Sequence, residues 1–397
     1  MTIGTVDVMG IWGDEELTSF EALVAPWVTA TGGDMEFTGQ RGLGALITTR
    51  VEGGNPPDVA IPAEIGLFQD FARNGDLVPL SNCAGLEDTI RNNYPQGFID
   101  LATVDGTLYG FFMKADIKGT IWYNPKFFDE NGYQPLTAAS TFDDLLALSQ
   151  QIADDGTTPW SIGVESGDDS GWPGTDWVQV ILLNELGGAE VNDGLVDGSI
   201  PFTDDRFKAA WEKFGDIAFT EGWVSQGGAE GINATNFGDA IFPPFEDPPT
   251  AALHHQASFA TGFITDQFPN AVAGEDFAFF PWPGGAAVGS ANIVYAFNDD
   301  PTTCSFLSHL ASADAQQVWV DRGGFLSVNR QVSLDAYPDA IARALAEVLT
   351  QVAVLRFDLD DTIGGEVQRA FFAGVTEYLA DPDSLDSILA ALEAARQ

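Results

Sequence analysis

A chain of 397 residues exceeds what one hydrophobic core ordinarily serves, so two or three domains are expected, and a composition 45% hydrophobic and 12% aromatic is enough to fold them. The 59 acidic against 16 basic residues leave a formal charge of −43, which repels phosphates over most of the surface and excludes nucleic acid and anionic membranes as partners. No apolar run is long enough to cross a bilayer.

The N-terminal stretch MTIGTVDVMG runs directly into a strand pattern without a basic region, apolar stretch or cleavage site, so a signal segment is expected to be absent from this chain. Strands at Val6 to Met9, Met35 to Thr38 and Asp58 to Ile61 alternate with helices capped by Asp14, through Leu17, Phe20, Val24 and Trp27, and over Leu43 to Val51. That alternation predicts a parallel sheet covered on both faces, whose ligands bind at the carboxyl ends of the strands. Those ends carry Trp12, Gln40, Arg41 and Glu64.

From Lys114 a second α/β region is expected to run to about Phe280, with helices near Phe127 to Gly132, Phe142 to Ala153, Asp176 to Leu186 and Phe207 to Gly222. Thr141 followed by Asp144 reads as a helix start, with Phe142, Leu145, Leu146 and Ile152 on one face. Gly156 ends that helix and Trp160-Ser161-Ile162 resumes as a strand. Asp276 to Pro283 reads as an extended run broken by prolines, Ile293 to Phe297 as a strand, and the segments after Pro301, after Asp314 and from Tyr337 onward as helices.

The order DGTLYGFFMKADIKGTIWYNPKFF, a Pro-containing spacer, then TFDDLLALSQQIADDGTTPWSIG resembles the middle of the extracellular sugar-binding proteins of ABC importers, the maltose-binding-like family. GWPGTDW, PNAVAGEDFAFFPWP and RGGFLSVN are similar to its α-glucoside branch. The resemblance implies an α/β, two-lobe periplasmic-binding-protein fold, each lobe a doubly wound sheet, joined by crossing hinge strands. Residues 1–113 and 283–330 would form the N-terminal lobe and 114–282 and 331–397 the C-terminal lobe, with the ligand between them. It also implies hinge closure on a sugar, delivery to the transmembrane subunits of an ABC permease, a monomer, and a periplasmic or lipid-anchored location at the cell surface. Neither catalysis nor a cofactor or metal is expected.

A sugar site needs aromatic faces beside charged or amide groups. Trp172 sits in a Gly- and Pro-rich loop with that mixture, Trp177 reads as core, and Asp176 reads as a helix cap able also to bind hydroxyls. Two of only five lysines fall in the crossing segment, where Lys114 is expected to contact ligand or pair with Asp116. The resemblance adds Asp247 and His254 near the cleft floor, Phe372 as a C-terminal aromatic, and Gly324 with Phe325 as a lid or core turn. Adjacent His254 and His255 diverge and lack zinc spacing. Cys83 and Cys304 would share the first lobe, either as a disulfide in an oxidising compartment or as two buried thiols.

Acids dispersed in pairs such as Asp299-Asp300 and Asp360-Asp361 suit a surface that stays hydrated in high salt. The chain lacks GxGxxG after the first strand, GxxxxGK[ST] and G-x-S-x-G. The rival class is a glycosidase, for which one carboxylate pair would suffice, although no pair stands out. A further alternative keeps the fold and changes the cargo to an osmolyte or polyamine.

Overall fold

The computed structural model describes residues 3–40, 42–351 and 354–396. The chain divides into two compact units, Met1–Asp116 with Ser290–Pro338 and Ile117–Gly289 with Asp339–Gln397. The changes of unit fall a few residues beyond the 113/114, 282/283 and 330/331 positions read from the sequence.

In the first unit, strand Thr5–Gly10 lies between Asp34–Gly39 and Val59–Ile61 and runs parallel to both. Val6, Val8, Val59 and Ile61 are fully buried, as expected of a parallel sheet covered by helices on both sides. Tyr295 and Ala296, in the long strand Ala287–Ala296, pair antiparallel with Ala60 and Val59. Leu326 and Ser327 pair antiparallel with Ala115 and Lys114 of Gly110–Lys118, a strand buried along its whole length despite its charged residues. Helix Asp14–Thr31 begins after Gly13, whose residue makes no side-chain cap, so the sequence reading of Asp14 as the cap moves one position. Helix Pro301–Leu310 is started by Asp300, whose carboxylate accepts from the Thr302 and Thr303 amides at 2.7 and 3.0 Å, with proline at the first helical position. Cys83 and Cys304 form a disulfide with Cα atoms 5.1 Å apart, which settles the alternative left open by the sequence.

The second unit holds a four-stranded sheet in the order Ala278–Pro281, Thr120–Tyr123, Leu253–Gln256, Trp160–Ser161. Its first two pairings are antiparallel and the last is parallel. Thr141 and Asp144 form the expected reciprocal cap of helix Phe142–Asp154, with Oγ1 accepting from the Asp144 amide at 3.2 Å and Oδ2 accepting from the Thr141 amide at 2.8 Å. Asn124 closes the crossing strand and caps helix Pro125–Asn131. Trp160, Trp177, Trp211 and Trp282 anchor the unit's core.

Helix Trp172–Glu185 packs closely on helix Gly365–Ala380 because glycines face it. A Cβ on Gly171 would lie 2.1 Å from the Phe372 carbonyl oxygen, and one on Gly174 would lie 2.4 Å from Val375. Gly171 also has φ 113, a conformation that side-chain-bearing residues rarely adopt.

Candidate functional site

The site builds up in the second unit from the start of helix Trp172–Glu185. Its first residue is Trp172, so Asp176 lies inside the second turn and is not the cap expected from the sequence. A helix places residues i and i+4 on one face, which sets Asp176 beneath Trp172. Lys118, at the end of strand Gly110–Lys118, reaches both: its Nζ donates to Asp176 at 2.8 Å and lies 5.1 Å from the Trp172 ring centroid. The same ammonium pairs with Asp358, which caps helix Leu359–Ile363.

Asp358 belongs to a carboxylate group with Asp360 and Asp361, whose oxygens lie within 4.8 Å of one another. Asp360 accepts from the Thr175 hydroxyl at 2.5 Å and from Gln368 at 3.1 Å. Asp360 is 2% exposed, so the reading of Asp360-Asp361 as a surface pair is corrected for its first member. Burial, then the neighbouring Asp358 and Asp361, hold the Asp360 carboxyl well above the usual range. Burial likewise raises Asp176, with Lys118 opposing. For Lys118 burial favours the neutral amine, but Asp176 and Asp358, with Asp361 and Asp360 behind them, outweigh it and hold the ammonium charged. These carboxylates have an ammonium, a hydroxyl and an amide as partners.

Around Trp172 is a ring cluster that the sequence reading did not identify. Phe237 meets the indole edge-on at 5.2 Å, Phe259 is tilted at 6.2 Å, and Phe263 contacts both phenyls at 5.9 and 5.8 Å. Trp172, Phe259 and Phe263 are only half-buried. Partly exposed rings beside a charged, hydrogen-bonding group have the composition by which proteins grip sugars. No motif marks these phenylalanines, which lie far from Trp172 in sequence. Phe372 carries its backbone against Gly171, but its side chain is buried in helix Gly365–Ala380. His254 is also buried in the sheet, its Nδ1 2.8 Å from the Ser161 carbonyl oxygen, and desolvation lowers its pKa to about 4. Asp247 is exposed beside Pro248.

The first unit holds the other residues expected from sequence. Trp12 is 1% exposed and packs on Phe20 and Trp319, with centroids at 4.7 and 4.9 Å. Phe325 covers Trp319 at 5.0 Å and follows Gly324, whose φ is 69. Of the two readings of Phe325, lid or core, the structure shows the core, and the expectation that Trp12 stacks on a ligand is corrected, because both rings are packed into this unit's core. A Cβ on Gly39 would lie 2.3 Å from the Trp12 carbonyl, so the loop after the first strand folds tightly over the end of the second. Gln40 is exposed there. Glu64 precedes helix Ile65–Asn74 and is half-buried, and Arg41 lies outside the described residues. Lys114 pairs with Asp116 at 2.6 Å, as expected, and also with Glu16 at 3.4 Å. Burial opposes the Lys114 ammonium, but Asp116 and Glu16 raise its pKa overall.

Residues 22–346 match the family described as bacterial extracellular solute-binding protein. The chain belongs to that family. This solute-binding protein is 36% identical over 385 residues to the osmoprotective compounds-binding protein GgtB of Synechocystis sp., covering 95% of this chain and 89% of that one. It is 34% identical over 398 residues to the alpha-glucosides-binding periplasmic protein AglE of Rhizobium meliloti, covering 96% and 85%. A chitin oligosaccharide binding protein superposes with a TM-score of 0.85 at 16% identity over 99% of this chain and 98% of its own, which shows a common fold. The two-lobe binding-protein fold and the family expected from the sequence are thus the ones found.

Proposed function

We propose that this solute-binding protein captures a neutral glycoside of the α-glucoside type outside the cytoplasm and hands it, as a monomer, to the transmembrane subunits of an ABC permease. The observation that carries the reading is Trp172, a half-buried ring set over Lys118 and among Phe237 and Phe259. The indole takes the C–H face of a pyranose, while the neighbouring polar groups take its hydroxyls. The excess of carboxylate over ammonium beside the rings disfavours sugar acids and sugar phosphates. Gln40 and Asp247, both exposed, are proposed further contacts, together with Glu64, Lys114 and Asp116.

The name of AglE supports an α-glucoside, and that of GgtB makes an osmoprotective compound a specific form of the same reading. A thermal-shift panel of mono-, di- and trisaccharides that includes maltose and trehalose, with glycerol and a polyamine as non-sugar controls, tests it. Micromolar affinity, about 8 kcal/mol, is expected for one of the glucosides, and Trp172→Ala should weaken it by about 10- to 100-fold. A nitrophenyl glucoside should be recovered intact after incubation, since release of nitrophenol would favour a glycosidase. A shift with the polyamine alone would overturn the sugar reading.

A further inference from the structure

We infer that Lys118 is a positioning residue whose buried ammonium fixes the attitude of the Trp172 indole. The inference rests on the reading of Trp172 as the ring that meets the sugar. Lys118 is 7% exposed, and an ammonium in that setting needs partners to remain charged. Neutralisation is already provided by Asp176 and Asp358, yet the same Nζ is also set over the indole.

The geometry makes this third contact consequential. Asp176 lies one turn beyond Trp172, so the ion pair fixes the rotation of the helix that presents the ring. Asp358 ties the ammonium to the cap of helix Leu359–Ile363. Phe237 meets the indole at 63° and Phe259 at 58°, so neither phenyl stacks flat on it. A cation set over the ring adds a constraint on its tilt, attracting the π-cloud most strongly where water is excluded. Lys118 therefore acts on a ligand through Trp172.

A purely neutralising lysine would behave differently from a positioning one. In the triple variant Lys118→Met, Asp176→Asn, Asp358→Asn the ammonium goes together with both carboxylates it pairs with, and buried Asp360 keeps Thr175 and Gln368 as donors, so a lysine that only balances charge is no longer needed. Trp172 emission is isolated in the full chain by subtracting the matching Trp172→Phe protein, and its quenching by acrylamide is measured. We expect the quenching constant to rise about threefold in the triple variant, within the range allowed by loss of a desolvated cation–π contact. Lys118→Arg should hold it near the parent value, because guanidinium pairs with carboxylates and stacks on indole.

Unchanged quenching in a triple variant that melts cooperatively would overturn the inference. Should that variant not fold, Lys118→Gln, Asp176→Asn, Asp358→Ser keeps a capping hydroxyl at the start of helix Leu359–Ile363 and strands neither partner of the ammonium, and the same readings decide. With maltose or trehalose, whichever the panel shows bound, the Lys118 substitution should weaken affinity about tenfold on the parent background and have no effect on Trp172→Ala. If Trp172→Ala leaves sugar affinity unchanged, the ligand reading falls, while the quenching result still decides whether Lys118 positions the ring.

Discussion

Cutting the Cys83–Cys304 bridge should destabilise the first unit alone. The bridge joins residues 221 apart in sequence, and in the chain-entropy account a loop of that length contributes about 5 kcal/mol, the upper end of what native disulfides supply. For a body of roughly 150–250 residues each kcal/mol moves the midpoint by about 2–4 °C, so a fall of about 10–20 °C is expected. Ties between the same segments survive reduction: the Asn82 side-chain amide donates to Asp299 at 2.8 Å and the Val78 amide to the Ala296 carbonyl at 3.1 Å. The assay is differential scanning calorimetry with and without dithiothreitol, on the parent and on Cys83→Ala, Cys304→Ser. Alanine is chosen at the buried position so that no hydroxyl is stranded there. A shift under about 3 °C would refute the argument, as would a loss that falls on the other unit's transition.

Three further outcomes are expected. Raising sodium chloride from low to molar concentration should increase the urea midpoint, because screening removes self-repulsion from a chain of net charge −43; an unchanged midpoint would count against a surface adapted to salt. Gly171→Ala, forced to φ 113 with its Cβ 2.1 Å from the Phe372 carbonyl oxygen, should cost about 3 kcal/mol or more in urea denaturation and weaken sugar binding through the adjacent Trp172. His254 is buried with its pKa lowered to about 4, so below about pH 6.5 the unfolded chain binds a proton that the folded one refuses. Its contribution is complete above about pH 6.5 and about 3 kcal/mol of stability is lost as the pH falls to about 4, a slope that His254→Phe should flatten.

Much of the architecture was legible because local chemistry and tertiary role agree. The Thr141–Asp144 cap and the proline after Asp300 each specify a helix start by satisfying orphan amides, and the structure uses them in that way. Helix Trp172–Glu185 was read as starting late because Gly171 and Pro173 look like loop residues. Their glycine and proline instead allow close approach to Phe372 and an early first turn. The candidate site was legible in Trp172 and Asp176 and in the neighbourhood of the crossing lysines. Phe237, Phe259, Asp358 and Asp360 were invisible, since only folding brings them to Trp172 and Lys118. Asp360 in particular looks like any other acid in a chain with 59 of them, and burial alone sets it apart.

The scarcity of lysine and the construction of the site have one physical root. At molar salt the Debye length falls to about 3 Å, so exposed ion pairs such as Lys126–Asp276 contribute little, and losing surface lysines costs such a protein little. Ions do not penetrate to a buried pair, where an uncompensated carboxylate remains costly at any ionic strength. Lys114 and Lys118 are 2% and 7% exposed, and each faces inward carboxylates that would otherwise be stranded. Two of the chain's five lysines thus sit where screening cannot replace them. A buried lysine in this chain is therefore a far stronger pointer to an organised polar site than the same residue would be in a protein of balanced charge.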